Sequence, residues 1–217
     1  MFPLTEPVEL AEFMVRANER FVSQPILVKL APVMADGLPL TFPFILLIRY
    51  IWYGIYRKST TAKKWALLVF FSALVASVMN MIIQLLVDKE RPEGYIQNTD
   101  FLIMDHLPTD PFPSDHASVG MAFAVAVWLW GRHIQSKKLK NIGRVLILAA
   151  LVMSATRMSV AIHWPTDVIV GSFIGILVAY LLHLSFHFSR TLWWVMDKLI
   201  SIEEYVLGVF GMSNTQE

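Results

Sequence analysis

The chain has 217 residues, of which 56% are hydrophobic and 16% charged, and its mean hydropathy is +0.55. This composition excludes an ordinary soluble domain and favours a membrane protein. The formal net charge of +1 gives no support for nucleic-acid binding, and the absence of cysteine excludes disulfides and thiolate chemistry.

The N-terminal segment, residues 1–24, predicts an amphipathic helix at the membrane surface. Its apolar side chains recur at helical spacing, with charged residues between them. They are Leu10, Phe13, Met14, Ala17 and Phe21. The segment lacks the basic start and apolar centre of a cleavable signal peptide, so we expect insertion to be driven by internal spans.

Five later segments predict transmembrane helices, because about 20 apolar residues cross roughly 30 Å of hydrocarbon. They are residues 38–56, 65–87, 116–134, 142–162 and 167–188. The first contains Arg49, which must reach the interface or face a polar interior. Residues 26–34 extend this span, with a break expected at residues 36–39.

Residues 190–211 mix tryptophans with acids and lysine, which predicts an interfacial helix or else a sixth span. The predicted fold class is therefore an all-α integral membrane protein. It is expected to be a bundle of five to six transmembrane helices plus interfacial amphipathic helices. The whole chain, residues 1–217, is expected to form a single domain surrounded by membrane lipids.

The loops differ in charge, which predicts the orientation of the chain. Arg57, Lys58, Lys63 and Lys64 follow the first span, and a second basic cluster lies at residues 132–144. Basic short loops stay in the cytoplasm. The acidic loop at residues 88–115 is therefore expected to face outward from a bacterial cytoplasmic membrane.

Polar side chains gather at four predicted span ends on this outer side. They are Arg91, then Ser114, Asp115 and His116, then Arg157 with His163, and finally Asp167. Guanidinium groups hold phosphate through paired hydrogen bonds, and a helix start near Ser114 would point free N–H groups at an anion. Asp167 follows His163 by four residues, so its carboxylate can hold one imidazole nitrogen and leave the other to attack.

Each of these residues also has an ordinary structural interpretation. Ser114 and Asp115 are typical helix caps, and the two arginines are typical interfacial anchors. His163 could be a hydrogen-bonded loop histidine. Zinc binding by two histidines and an aspartate is disfavoured, because the arginines would repel the cation. Their convergence on one face is what favours a phosphate site.

Three stretches carry a resemblance to a known family. They are Gln84 to Arg91-Pro92, Pro113-Ser114-Asp115-His116, and Thr156-Arg157 followed by His163 and Asp167. Their spacing resembles the motifs of the type 2 phosphatidic acid phosphatase family, the vanadium haloperoxidase-like acid phosphatases. The resemblance spans roughly residues 65–188, and the spacing of its third motif is matched in full.

The resemblance implies a role for each matched residue. His163 would be the nucleophile, Asp167 would orient it, and His116 would serve as general acid and then base. Arg91, Arg157 and Ser114 would bind phosphate oxygens, and no metal or other cofactor would be needed.

The chain departs from the family pattern at three positions. Thr156 replaces serine and keeps the hydroxyl. Gln84 replaces a lysine and removes a cationic phosphate ligand, although its amide can still donate a hydrogen bond to phosphate. Lys89 is a possible substitute for the missing charge. Asp115 replaces glycine and brings a carboxylate near the anion. The Phe-Pro-Ser-Asp-His form is similar to the bacterial undecaprenyl-pyrophosphate phosphatase subgroup linked to bacitracin resistance.

The resemblance implies hydrolysis of the terminal phosphate of undecaprenyl pyrophosphate, a polyprenyl lipid used in cell-wall synthesis. Phosphatidylglycerophosphate, diacylglycerol-pyrophosphate or lipid A could replace it as the substrate. A non-catalytic carrier of phosphate lipids is the alternative from another class. The apolar residues of the loop at 88–110 suggest a cover that closes over the site.

Overall fold

The structure is a computed structural model that describes residues 2–92 and 110–209. Eight α-helices lie in these two ranges. They are α1 (Val8–Val22), α2 (Pro25–Pro32), α3 (Leu38–Arg49), α4 (Thr60–Gln84), α5 (Asp115–His133), α6 (Lys137–Ser159), α7 (Pro165–Phe188) and α8 (Arg190–Val209). The predicted all-α fold class is confirmed.

The first long helix is continuous where a break was expected. Residues 25–56 run through α2, a π-helical turn at Val33–Gly37, α3 and a second π-helical segment at Tyr50–Tyr56. The prediction of a break was therefore wrong. Pro39 has no N–H to donate to the carbonyl of Ala35, and the chain absorbs this loss by widening the turn, with Leu38 N–H donating to Val33.

Four of the described helices are long and apolar enough to cross a membrane by themselves. They cover residues 25–56, 60–84, 137–159 and 165–185. Many of their large apolar side chains are exposed on the outside of the bundle, as expected for surfaces that contact lipid. Helices α5 and α8 are not among these four.

Helix α5 lies at the centre of the bundle, in contact with α4, α6 and α7. Most of its residues from Ala117 to Gly131 are buried, and many of them are alanine or glycine. Small residues allow neighbouring helices to approach closely. Because alanine and glycine are less hydrophobic than leucine or isoleucine, they also lower the mean hydropathy of this helix, which contacts little lipid. The core beside it includes Trp65 stacked on Trp130, with ring centroids 6.2 Å apart.

The N-terminal segment is fastened to the end of the bundle that carries the sequence motifs. Two-residue strands β1 (Phe2–Pro3) and β2 (Val87–Asp88) pair in parallel just after α4. On α1, Asn18 Nδ2 donates to the carbonyl of Ser159 at 2.9 Å, and Phe21 packs against the turn that follows α6. Neither contact was foreseen from the amphipathic pattern.

Helix α8 is fastened at the opposite end, where α4 begins. Lys63 lies 2.6 Å from Glu203 and Lys64 lies 2.5 Å from Asp197. Both lysines are buried by these contacts, and Lys64 also sits over the ring of Trp193. Helix α8 therefore packs at this end of the bundle through its ion pairs with α4 and through Met196 and Ile200, which are both buried.

Candidate active site

The starts of α5 and α7 meet at the motif end of the bundle. Ser114 N–H donates to the backbone carbonyl of Asp167 at 3.1 Å. The helices touch here because α7 carries Gly171, where a Cβ atom would lie 2.6 Å from the carbonyl oxygen of Ser114. The side chain of Ser114 is buried, and its Oγ has no hydrogen-bond partner among the described residues. A buried hydroxyl in this state is suited to receive a ligand oxygen.

His116, the second residue of α5, lies beside Arg157 near the end of α6. The His116 Nε2 to Arg157 Nη1 distance is 3.4 Å. The same Nη1 donates to Asp36 Oδ1 at 2.5 Å and reaches the Ala35 carbonyl at 3.5 Å. Asp36 stands on the π-helical turn, so the widened turn brings a carboxylate to the guanidinium. A buried arginine needs such a counter-charge when no anion is bound.

His163 lies in the turn between α6 and α7. Its Nδ1 is 3.1 Å from the carbonyl oxygen of Pro111. Because a carbonyl only accepts, this contact requires a proton on Nδ1, and a neutral ring then carries its lone pair on Nε2. Asp167 Oδ2 lies 3.6 Å from Nδ1, which is beyond hydrogen-bond distance. The carboxylate thus acts on the imidazole through its charge, while Pro111 holds the ring.

Asp167 is fully buried, and both of its oxygens are engaged. Oδ2 accepts from the Trp164 N–H at 2.8 Å, which caps the start of α7. Oδ1 accepts from Lys89 Nζ at 2.5 Å. These two contacts explain why the hydrogen bond expected between Asp167 and His163 is not formed.

Arg91 lies against the same turn as His163. Its Nη1 donates to the carbonyl of Ile162 at 3.1 Å, one residue before the histidine. The charges of Arg91 and Arg157 are near enough to act on each other, as are those of His116 and His163. Two guanidinium groups therefore lie near one small region beside the starts of α5 and α7, and both would attract an anion bound there.

Two of the three residues that depart from the family pattern, Gln84 and Asp115, contact each other. Gln84 Nε2 lies 3.2 Å from Asp115 Oδ2 and 3.1 Å from the Pro113 carbonyl. Asn80, one turn earlier on α4, donates to Asp115 Oδ1 at 3.1 Å. The carboxylate is held toward α4 by two amides. The amide of Gln84, predicted as a phosphate donor, is directed at Asp115 and Pro113.

Lys89, predicted as a substitute for the missing lysine, lies on the far side of Asp167. Its ammonium contacts Asp167, Thr166 at 2.8 Å and Glu6 at 2.5 Å, and its side chain is 1% exposed. The structure thus directs Lys89 at carboxylates and not at His116.

Sequence reasoning missed three partners of the site: Glu6, Asp36 and Asn80. Asp36 was noted only as part of an expected break, and Glu6 lay unremarked in the segment predicted as a surface helix. Both side chains are buried in the structure, that of Glu6 being 7% exposed and that of Asp36 5%. Asn80 gave the best available signal, because an amide inside an apolar span needs a partner.

The arrangement supplies two imidazoles, two guanidinium groups, a serine hydroxyl and the start of a helix at one place. These are the groups that phosphoryl transfer through a histidine requires. Among residues 2–92 and 110–209, no cluster of three or more His, Asp and Glu side chains has metal-binding geometry. The predicted cover over the site falls mostly at residues 93–109, outside the described ranges.

A sequence profile of the PAP2 superfamily matches residues 65–191, and the chain belongs to that superfamily. The match covers α4 to the start of α8 and includes each motif described above. The protein is thus a phosphatase-type hydrolase of a multi-pass membrane family.

Two curated relatives are similar along most of their length. The putative undecaprenyl-diphosphatase YbjG of Escherichia coli is 27% identical over 155 residues, which is 71% of each chain. The undecaprenyl-diphosphatase BcrC of Bacillus subtilis is 26% identical over 159 residues, or 73% of this chain and 76% of the relative.

A solved structure shares the fold. It is a transmembrane PAP2-type phosphatidylglycerolphosphate phosphatase from Bacillus subtilis, with a TM-score of 0.58 and 19% identity. The similarity covers 84% of this chain and 94% of that one. At this identity the comparison bears on the fold alone.

Proposed function

We propose that the protein removes the terminal phosphate of undecaprenyl pyrophosphate, forming undecaprenyl phosphate through a phosphohistidine intermediate. The observation that carries this proposal is the meeting of His116, His163, Arg91 and Arg157 from separate segments at one end of the bundle. The buried Ser114 hydroxyl, without a protein partner among the described residues, completes a pocket for phosphate oxygens.

The first step is attack on the terminal phosphorus by Nε2 of His163. A P–N bond forms as the P–O bond to the lipid phosphate breaks, and His116 donates a proton to the leaving oxygen. The imidazole gains positive charge, which the carboxylate of Asp167 stabilises from 3.6 Å. Arg91, Arg157 and Ser114 hold the equatorial oxygens as their charge redistributes.

The second step returns the enzyme to its starting state. His116 accepts a proton from water as the oxygen attacks the phosphorus, and the P–N bond breaks. Inorganic phosphate leaves, and His163 is again neutral with its proton on Nδ1. The carbonyl of Pro111 accepts the hydrogen bond from Nδ1–H in both steps, so the ring keeps its orientation between them.

A lipid substrate is supported by an apolar cavity of about 380 Å³ between α3, α4 and α5. His116 and Asp115 line one end of it, and Phe42, Phe70 and Phe123 line the rest. The cavity is of the size and chemistry that accommodates hydrocarbon next to a polar reacting group. Polyprenyl pyrophosphate is favoured over other lipids because both curated relatives bear the name undecaprenyl-diphosphatase.

The site is placed at the outer face of the cytoplasmic membrane in this proposal. The basic residues between α3 and α4 and between α5 and α6 lie at the end of the bundle opposite the site. Short basic loops stay in the cytoplasm, which puts His116 and His163 outside.

The test is release of inorganic phosphate from undecaprenyl pyrophosphate by purified protein in detergent with excess chelator. Wild type and His163→Ala are compared side by side, with phosphatidylglycerophosphate as a second substrate. We expect chelator-resistant release that falls by more than about 1,000-fold in His163→Ala, because the nucleophile is lost. His116→Ala is expected to fall nearly as far.

A His163→Ala protein that keeps more than about a tenth of wild-type activity would refute the nucleophile assignment. Faster phosphate release from phosphatidylglycerophosphate would mean that this lipid, and not undecaprenyl pyrophosphate, is the preferred substrate, and it would leave the proposed mechanism unchanged. Folded wild-type protein that binds both lipids and releases phosphate from neither would favour the carrier.

A further inference from the structure

The N-terminal segment reaches the carboxylate that lies beside His163. Strand β1 pairs with β2, and Leu4 N–H extends the pairing by donating to the Asp88 carbonyl at 2.9 Å. This pairing brings Glu6 next to Lys89, with Oε1 and Nζ 2.5 Å apart. Lys89 Nζ also lies 2.5 Å from Asp167 Oδ1. A single ammonium group therefore links Glu6 to Asp167.

The network is closed to solvent. The side chains of Lys89, Glu6 and Asp167 are 1%, 7% and 0% exposed. Thr166 accepts from Lys89 at 2.8 Å and donates its own hydroxyl proton to Glu6. An ammonium has three protons, and these three acceptors account for all of them.

The charges in this network do not cancel. Glu6, Asp167 and Lys89 together carry a formal charge of −1 in a buried place, and the positive charge of Arg91 also acts on Asp167. If Lys89 paired with Asp167 alone, the pair would be neutral and would have little effect on His163. Burying excess charge is costly, and here the excess lies next to the imidazole that becomes positive in the proposed reaction.

We propose that Glu6 is a positioning residue for phosphoryl transfer. It shares the Lys89 ammonium with Asp167, the two Nζ to oxygen distances both being 2.5 Å, so that the Asp167 carboxylate is not fully neutralised and stabilises positive His163. This inference rests on the proposed function, since it presupposes that His163 takes up the phosphoryl group. Glu6 contacts neither His163 nor the phosphate pocket in this role, and it acts through Lys89 and Asp167.

The N-terminal segment is held in place by more than Glu6. Asn18 is bonded to Ser159, and Phe21 packs against Val160 and Ile162. The backbone pairing of β1 with β2 is also independent of the Glu6 side chain. A substitution at Glu6 can therefore remove its charge and leave the segment docked.

The test variant is Glu6→Gln, which keeps the length of the side chain and an oxygen acceptor but removes the charge. We expect kcat to fall about tenfold with KM within about twofold of wild type, the size of effect typical of a residue that supports a contact residue. Glu6→Asp keeps the charge, and its kcat should lie between those of wild type and Glu6→Gln. Rates are measured on undecaprenyl pyrophosphate and on p-nitrophenyl phosphate, with melting temperature in detergent alongside.

The matched control is Glu12→Gln on α1. Glu12 is exposed and lies 3.6 Å from Arg16, one turn away, so its loss should change neither kcat nor KM. Wild-type kcat in Glu6→Gln, or a change confined to KM, would overturn the proposal. Glu6→Asp falling as far as Glu6→Gln, with a lowered melting temperature in both, would show a merely structural role and overturn it as well.

Two further outcomes separate this inference from the proposed function. Wild-type protein that releases no phosphate overturns both, whereas an active wild type with an equally active Glu6→Gln overturns only the role of Glu6. Should Glu6→Gln not fold, an unchanged kcat in folded Glu6→Asp would contradict the proposal, because the shortened side chain withdraws the carboxylate from Lys89.

Discussion

The carboxylate of Asp115 lies beside the candidate phosphate pocket, where its negative charge would repel the anion unless it is held away. Each of its oxygens accepts from a different amide of α4, Asn80 at 3.1 Å and Gln84 at 3.2 Å. The two amides are four residues apart and so share one face of the helix. They hold the negative charge toward α4, where it repels an anion beside Ser114 less strongly.

We predict that Gln84→Ala raises KM several-fold in the otherwise native protein, because one carboxylate oxygen is released. In an Asp115→Gly background the same change should have little effect, since no carboxylate remains to be held. Residues in contact usually have coupling energies of about 0.5–3 kcal/mol. The double-mutant cycle measures this energy as the ratio of two changes in KM, that caused by Gln84→Ala in the native protein and that caused by it in Asp115→Gly. Equal effects in both backgrounds would mean that the amide of Gln84 contacts substrate directly.

Motif spacing correctly predicted that two site residues lie close together when they are only a few residues apart in the sequence. His163 and Asp167 are separated by four residues around a helix start, and the structure places His163 Nδ1 and Asp167 Oδ2 3.6 Å apart. Glu6, Asp36 and Asn80 were not predicted as partners. Each comes from a distant element, and a single acid or amide in a sequence carries no information about which cation or carboxylate it will meet.

At the scale of elements, the site depends on how closely α7 approaches α5. Gly171 and Gly175 lie one turn apart on α7 and face the backbone of α5. A Cβ atom at Gly175 would lie 2.2 Å from the Ser118 carbonyl oxygen, and one at Gly171 would lie 2.6 Å from that of Ser114. Glycine at these two positions allows the two helices to touch, as small residues do in membrane bundles.

We predict that Gly171→Ala and Gly175→Ala damage the protein in different ways. Gly175→Ala pushes the helices apart inside the bundle and should lower the melting temperature in detergent by several degrees. Gly171→Ala displaces Ser114 and should reduce kcat more than tenfold with a smaller loss of stability.

The control for both changes is Gly37→Ala, whose Cβ would make an ordinary contact 3.5 Å from Val33. It should leave rate and melting temperature close to wild type. If Gly171→Ala and Gly175→Ala lost activity in the same proportion to their loss of melting temperature, the contact of Gly171 with Ser114 would have no special role in catalysis.

Helix positions were more predictable than helix irregularities. Apolar stretches of about 20 residues predict spans because lipid selects for them directly. The π-helical turn that carries Asp36 absorbs the N–H that Pro39 lacks, and sequence reasoning interpreted its Asp-Gly and Pro as a break. The strand pairing of residues 2–3 with residues 87–88 was also unpredictable, since two residues give no periodicity.

For the whole molecule, charge is distributed between two ends. Glu6, Lys89, Arg91 and the two site histidines lie at one end, and Lys63 and Lys64 hold α8 at the other. The basic loops that accompany α8 favour the cytoplasmic side for that end.

This orientation can be measured because the chain has no cysteine. Asp88→Cys at the site end and Lys137→Cys at the other end both replace exposed residues. A membrane-impermeant maleimide added to intact cells should label Asp88→Cys, and Lys137→Cys should react only after the membrane is permeabilised. The wild-type chain provides the unlabelled control, and the reverse pattern would place the active site in the cytoplasm.

The central position of α5 also determines which helices must be counted as crossings. At about 1.5 Å per residue its 19 residues measure about 28 Å, close to the thickness of the hydrocarbon layer. If only the four most apolar helices crossed, the segments before α5 and after α6 would emerge on opposite sides of the bilayer. The bond from Ser114 to Asp167 joins those segments, and we therefore infer that α5 makes a fifth crossing. A count based on hydropathy alone would split the candidate active site between two compartments.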